Sequence, residues 1–199
     1  MPSKAMPGLQ RVAKADRSKA ICQLRVELMH INPLIWRRLL VPYDIKLPKL
    51  HECLQMTMGW DDSHLHHFKV GEAVYGLPDP DWQGGEVLDE QRYRLAHLMD
   101  DTRREFLYEY DFGDRWEHRV VLEQFDAQSE SMTYPICTAG QRACPPEDVG
   151  GVPGYEMLLE AIAGAGKEDE ELLRWVGEVF DPEGFDLNRV NRALRRIRG

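Results

Sequence analysis

The sequence predicts an α+β fold: an antiparallel sheet with one packed helix after the first hairpin, followed by a C-terminal helical segment. Two observations support this prediction. Extended runs with alternating apolar and polar residues fill the first part of the chain, whereas helical spacings of apolar residues fill the last part. Strands first and helices afterwards are typical of α+β proteins, and they differ from the alternating strand and helix units of a nucleotide-binding sheet.

The first predicted element is an antiparallel hairpin. Apolar residues alternate from position 22 to position 28, Asn32-Pro33 interrupts the pattern, and a second extended run covers residues 35–42. A helix follows, because Pro48 suits a first helical turn and Gly59 suits a helix end. Its core-facing stripe has spacings of three and four residues: Leu47, Leu50, Leu54 and Met58.

Aromatic residues dominate the middle of the chain. Residues 64–70 are predicted to form a strand with a short continuation at 73–75, and residues 105–112 and 115–123 are predicted to form a hairpin around Gly113-Asp114. Aromatic side chains on alternate positions would then make a wall that belongs in the core. One helical turn is predicted at residues 95–99.

Residues 77–92 and 129–154 are rich in Pro and Gly and are predicted to be long loops. Helices are predicted at 155–162, 170–180 and 187–197, the last of them capped by Asp186. The predicted organisation is a flexible basic tail over residues 1–20 and a single domain over residues 21–199. That domain is mostly β over 21–128 and mostly helical over 152–199.

The distribution of charge restricts where a partner could bind. The chain has 199 residues with 34 acidic and 25 basic side chains, a formal charge of −9. Residues 1–20 carry five basic groups and one acid, and residues 189–199 carry five arginines and no acid, which leaves −18 for the body between them. An acidic body repels phosphate, so DNA would have to contact the basic termini. The predicted contacts are Arg189, Arg192, Arg195 and Arg196.

Two other interpretations of these arginines stay open. Cations at a helix C-terminus complement the helix dipole, and a basic end could bind the acidic body of a second copy, giving a homo-oligomer. No apolar run approaches the roughly 20 residues that span a bilayer, and no secretory signal is evident. A cytoplasmic location without a membrane partner is therefore expected.

Histidines provide the candidate chemistry. A set of two or more histidines and a carboxylate can hold a divalent metal and leave positions for water or substrate. The predicted ligands are His64, His66, His118 and Asp111, with Asp114 as an alternative carboxylate. The alternative interpretation is that these histidines make structural hydrogen bonds within the aromatic wall. Nucleophilic catalysis is disfavoured because none of the five serines lies in a Gly-x-Ser-x-Gly turn.

Several long motifs in a fixed order resemble the plasmid pRiA4b ORF-3-like family. They include Ile35-Trp36-Arg37-Arg38, the run from Tyr108 to His118, and the run from Gly140 to Gly151. The resemblance covers about residues 21–195 and implies a single α+β domain. It also implies an association with mobile elements, because some relatives are labelled TnpR-type resolvases or insertion-sequence passenger proteins. The positions it emphasises are His51, His64, His66, Asp111, Asp114, Trp116 and His118.

Together, the resemblance and the charge pattern favour a non-enzymatic, mobile-element-associated binding protein that contacts DNA in transposition or recombination. The alternative is a metal-dependent, hydrolase-like enzyme that uses the His/Asp cluster. Convergence of imidazole and carboxylate groups within about 5 Å around an open pocket, together with perturbed pKa values, would favour the enzyme, whereas dispersal of these groups among core aromatic residues would count against it.

Overall fold

An eight-stranded, mostly antiparallel sheet forms the body of the protein. The computed structural model describes residues 17, 19–78, 85–164 and 180–197. The strands are β1 (Ala20–Leu28), β2 (Trp36–Pro42), β3 (His66–Val70), β4 (Ala73–Gly76), β5 (Val87–Asp89), β6 (Glu105–Tyr110), β7 (Trp116–Ala127) and β8 (Ile136–Gln141). Within the described residues the helices are α1 (Leu47–Met58), α2 (Leu95–Leu98), α3 (Gly151–Ile162) and α4 (Leu187–Leu194), with one 3-10 turn at Glu90–Arg92.

The strand order is β5-β4-β3-β6-β7-β1-β2-β8, and only the β4–β5 pair is parallel. Both predicted hairpins are present: Leu24 lies opposite Leu39 in β1–β2, and Tyr108 lies opposite His118 in β6–β7. The long strand β7 pairs with β1 on its other side and so joins the two hairpins. The predicted α+β class is confirmed.

Helix α1 packs over the aromatic middle of the sheet. It has Pro48 in its first turn and ends at Gly59, whose φ of 92° is a left-handed conformation that glycine adopts without strain. The predicted apolar stripe is buried, and it belongs to the same core as Phe68, Tyr108 and Trp116. The hydrophobic effect therefore fixes which face of α1 meets the sheet.

Two predicted loops contain strands and require correction. Strand β5 lies within residues 77–92, and β8 lies within residues 129–154. β5 has only three residues, too few to show a period of two. β8 pairs with β2 at the edge of the sheet and buries only Cys137, so it lacks the alternation expected of a half-buried strand. Helix α3 also begins earlier than predicted, at Gly151.

The two ends of the chain are only partly described. Of the predicted tail, residues 1–16 and 18 lie outside the described residues, whereas Arg17 pairs with Asp101 at 2.7 Å and stacks on the Phe125 ring. The helix predicted at 170–180 also lies outside them, apart from Phe180. The predicted cap of α4 is present, because the Asp186 carboxylate accepts a hydrogen bond from the Arg189 amide at 2.9 Å. Among the helices in the described residues, none has the length and apolarity needed to span a bilayer.

The buried guanidinium of Arg37 connects the β2–β8 edge of the sheet to α1 through hydrogen bonds. Arg37 is 2 % exposed and donates to the carbonyl oxygens of Thr57, Trp36, Gln141 and Arg142 at 2.8 to 3.1 Å. It also donates to the Cys144 thiol and lies over the Phe185 ring. Backbone dipoles from α1, β2 and the segment after β8 thus surround one positive charge, which holds these segments in register.

Candidate metal centre

Three segments that are distant in sequence meet at the end of the sheet where β6 stops. His64 lies two residues before the start of β3, Asp111 follows β6, and Asp148 lies in the loop between β8 and α3. One potential ligand atom from each of the three lies within 4.8 Å of the other two. The antiparallel pairing of β3 with β6 brings the first two together, and the loop before α3 brings the third.

The His64 Nε2 atom faces three carboxylates. It lies 3.0 Å from Asp148 Oδ1, 3.7 Å from Asp111 Oδ2 and 4.0 Å from Glu147 Oε2. Within the described part of the chain, neither His64 Nε2 nor Glu147 Oε2 has a hydrogen-bond partner with acceptable geometry, although both atoms are buried. A buried polar atom without a partner costs about 1–3 kcal/mol, so a cation bound between these groups would remove a local cost.

The Asp111 carboxylate is oriented by its own turn. Its side chain is only 8 % exposed, and its Oδ1 atom accepts from the amides of Gly113 and Asp114 at 2.8 and 3.3 Å. The residue has a φ of 57°, a left-handed conformation that Asp tolerates better than most residues. The turn therefore occupies one carboxylate oxygen and leaves the other toward His64.

Glu147 is held in the same way by different elements. Its Oε1 atom accepts from the Tyr110 hydroxyl at 3.0 Å and from the Asp61 amide at 2.9 Å. The Tyr110 hydroxyl in turn accepts from the Ser63 amide at 3.0 Å. Burial and the adjacent Glu147 carboxylate raise the pKa of Tyr110, so the phenol stays protonated and donates to Glu147.

Asp114 fixes the loop that carries the acidic pair. Its Oδ2 atom accepts from the Gly150 amide at 3.1 Å, just before α3. The backbone contact is also close: a Cβ atom on Gly151 would lie 2.6 Å from the Asp114 carbonyl oxygen, and the φ of Gly151 is 67°. Asp114 is therefore a support of the site, and glycine is required at position 151.

Two stacked histidines join α1, which carries His51, to β3, which carries His66. The rings of His51 and His66 are 3.5 Å apart and nearly parallel. His66 Nε2 lies 2.8 Å from Glu90 Oε2, and His51 Nε2 lies 2.7 Å from Asp62 Oδ1. Burial is the main cause that lowers the pKa of His51, and the neighbouring His66 lowers it further. A lower pKa favours a neutral His51 ring.

His118 and Trp116 belong to the core. His118 is fully buried, its Nδ1 atom lies 3.1 Å from the Tyr108 carbonyl oxygen, and its ring packs at 5.2 Å against Trp60. Burial lowers the pKa of His118 to about 4. Trp116 is 1 % exposed and stacks on the same Trp60 ring.

The comparisons with known proteins agree with this architecture. The sequence pattern of plasmid pRiA4b ORF-3-like proteins matches residues 20–189, most of the chain. The chain belongs to the plasmid pRiA4b ORF-3-like family.

Two relatives show how far the pRiA4b ORF-3-like sequence and fold extend. The chain is 38 % identical over 179 residues to the uncharacterized protein y4hQ of Sinorhizobium fredii (strain NBRC 101917 / NGR234). That alignment covers 88 % of this chain and 91 % of y4hQ. The crystal structure of the protein of unknown function MM3350 from Methanosarcina mazei Go1 has a TM-score of 0.78 and 37 % identity. It covers 85 % of this chain and 96 % of that one. Neither description states an activity.

In this pRiA4b ORF-3-like chain, only two of the four predicted ligands meet, His64 and Asp111. His66 pairs with Glu90, and His118 points into the core. The acidic pair Glu147-Asp148 was not predicted as part of the site. The available signal was its position inside the family motif from Gly140 to Gly151, directly before Val149-Gly150-Gly151.

We predict a pH dependence of stability that arises from His118. Its pKa is about 4 in the folded protein against an ordinary 6.5, so between these values the unfolded chain binds the proton more readily. The contribution of the neutral ring is complete above pH 6.5 and declines as the pH falls toward 4, by up to about 3 kcal/mol.

Urea unfolding between about pH 7 and about pH 5 measures this effect. A His118→Gln variant retains an amide donor for the Tyr108 carbonyl and should show a smaller decline in the free energy of unfolding. Identical pH dependence in the two proteins would contradict the assignment.

Proposed function

We propose that this protein is a divalent-metal-dependent enzyme of hydrolytic type, with its ion held by His64, Asp111 and Asp148. The convergence of these side chains within 4.8 Å, from three separate segments, carries the proposal. Among the described residues, neither His64 Nε2 nor Glu147 Oε2 makes a hydrogen bond of acceptable geometry, which strengthens the proposal. This favours the enzyme hypothesis over the non-enzymatic one.

The donor set indicates the class of metal. One imidazole and two or three carboxylates suit Mn²⁺, Fe²⁺ or Zn²⁺, whereas Mg²⁺ and Ca²⁺ prefer oxygen ligands alone. The three carboxylates around the imidazole are formally negative, which favours a cation. The chemistry of the donors therefore fits a borderline divalent ion.

The exposure of the site supports hydrolysis. The Asp148 side chain is 68 % exposed, so one side of the site is open to solvent and to substrate. A metal with an open position lowers the pKa of a bound water toward neutrality. Glu147, with one oxygen fixed by Tyr110 and the other directed toward His64, is placed to accept the proton of that water.

We predict that chelator-treated protein binds one Mn²⁺ or Zn²⁺ ion per chain in a calorimetric titration. His64→Ala and Asp148→Asn should each lower the affinity at least about tenfold, because each removes one of few ligands. His30→Ala is the matched control, since His30 is an exposed histidine that pairs with Glu117 away from the site. Titrations without binding, or equal affinities in all four proteins, would contradict the metal centre.

A separate prediction concerns Glu147. If its role is to accept a proton, Glu147→Gln should retain most of the Mn²⁺ affinity but lose at least about a hundredfold in hydrolytic rate. The probes are p-nitrophenyl acetate and bis(p-nitrophenyl) phosphate, with and without added Mn²⁺. Metal-independent turnover, or an unchanged rate in the variant, would count against the hydrolytic proposal.

DNA binding is a second candidate function, and one observation favours it. Arg189, Arg192, Arg195 and Arg196 are all exposed on α4 and the turn that follows it. Only Arg192 has an acidic neighbour within 4 Å in the described residues, Asp186 at 3.9 Å. These exposed arginines support two hypotheses, a role in DNA recombination and an association with mobile elements. The same surface would equally bind the acidic body of a second copy of the chain.

Fluorescence anisotropy with a labelled duplex tests the DNA hypothesis. Binding at about 50 mM salt should weaken steeply by about 200 mM, and replacing the four arginines by glutamine should reduce the salt dependence. An Arg94→Gln variant is the control, since Arg94 is exposed but lies beside α2. Light scattering of the same samples separates self-association from DNA binding. No binding at low salt would exclude this candidate.

We also propose that the protein is located in the cytoplasm. All four cysteines are free and buried, as expected in a reducing compartment.

A further inference from the structure

The segment that delivers His64 is held by side chains instead of by a strand. Residues 61–63 lie between α1 and β3, and each of their amides donates to a side chain from a different element. Asp61 donates to Glu147, Asp62 to Gln55 Oε1 at 3.1 Å, and Ser63 to Tyr110. Three external acceptors thus determine the path of the backbone up to His64.

One of these contacts belongs to a closed ring of hydrogen bonds. The Asp62 amide can only donate, so the Gln55 oxygen faces it and the Gln55 amino group faces Tyr108, to which it donates at 2.9 Å. The Tyr108 hydroxyl then has its own proton for His51 Nδ1, at 2.8 Å. A neutral His51 carries its proton on Nε2 and donates to Asp62 Oδ1 at 2.7 Å.

Each bond of this ring pairs a donor with an acceptor, and the ring closes on the residue where it began. Gln55, His51 and Tyr108 are buried, whereas the Asp62 side chain is 55 % exposed. The ring therefore joins the rigid pair of α1 and β6 to a single surface residue. Such fully satisfied networks fix geometry more strictly than isolated bonds.

The position of Asp62 makes the ring relevant to the metal centre. Its φ is 58°, a left-handed conformation that aspartate tolerates, and the hydrogen bonds of the ring hold the residue in it. Asp62 is two residues before His64, so relaxation of this backbone angle would redirect the imidazole away from Asp111 and Asp148.

We propose that the ring of Gln55, Tyr108, His51 and Asp62 positions His64 as a metal ligand, and that these four are positioning residues of the candidate metal centre. This inference rests on the proposed function. It explains why several motif residues outside the metal centre converge on one loop.

Mn²⁺ titration of the full chain tests the inference through the exposed member of the ring. Asp62→Ala removes the acceptor for His51 and should lower the affinity about tenfold, as losses of supporting contacts around a metal site do. Asp62→Asn keeps an acceptor oxygen and tolerates the left-handed backbone, so it should restore the affinity to within about threefold of wild type.

Asp61→Ala is the matched control, because it removes the same charge one residue away and leaves the Asp61 amide and the ring in place. Its affinity should also remain within about threefold of wild type. If Asp61→Ala or Asp62→Asn weakens binding as much as Asp62→Ala, charge accounts for the effect and the inference is wrong.

A second pair of variants tests the ring from its buried side. Tyr108→Phe removes the hydroxyl without altering residue 62 and should weaken Mn²⁺ binding about tenfold. Tyr43→Phe is its control, since it removes a hydroxyl that donates to the Met99 carbonyl, which lies outside the site. If the Tyr108→Phe variant does not fold, the Mn²⁺ affinities of Asp62→Ala and Asp62→Asn test the positioning role. If the wild-type protein binds no Mn²⁺, the proposed function is wrong. If the wild-type protein, Asp62→Ala and any folded Tyr108→Phe variant bind Mn²⁺ with equal affinity, only the positioning role is wrong.

Discussion

The need to satisfy polar groups around Tyr108 constrains the arrangement of the whole aromatic side of the protein. Its hydroxyl lies in the core and is used twice, once as acceptor and once as donor, by two residues of α1. Its carbonyl oxygen faces the buried imidazole of His118 on the neighbouring strand. Hydrophobic packing alone would allow α1 to slide along the sheet, because apolar contact is not directional. These bonds allow one position, since any shift leaves buried donors unpaired.

Left-handed backbone conformations occur at three aspartates in or beside the candidate site. Asp62, Asp111 and Asp148 all have φ values between 56° and 58°. Aspartate tolerates this conformation better than most residues, and each of the three is also held by its neighbours: the hydrogen-bond ring at Asp62, the turn amides at Asp111, and the contact of Asp114 with the following glycines at Asp148. Positive φ values also occur at His30, Arg115 and Arg142. The left-handed turns therefore orient side chains of the site, but they do not by themselves identify it.

The sequence was most informative where periodicity reflects burial. The two hairpins, α1 and the aromatic core follow from alternation and helical spacing, which record which face meets the core. β8 could not be found in this way, because an edge strand with one buried residue carries no alternation. The site was harder still, because His64 has the same side chain as His66 and His118, and only the fold shows that His64 faces Asp148. His64 and His66 are only two positions apart, but they have different partners because β3 begins at His66 and His64 lies before it.

The separation of the three ligand-bearing segments has a kinetic consequence. Residues 64, 111 and 148 are far apart in sequence, so closing both intervening loops carries an entropic cost before the groups can meet. The β3–β6 pairing and the contact of Asp114 with Gly150 bring these segments together without an ion, so the fold itself offsets that cost. An ion bound there would be acquired by a chain already folded, unlike a zinc finger, whose folding is driven by its metal. Apo protein should thus be a stable species that can exchange its ion without unfolding.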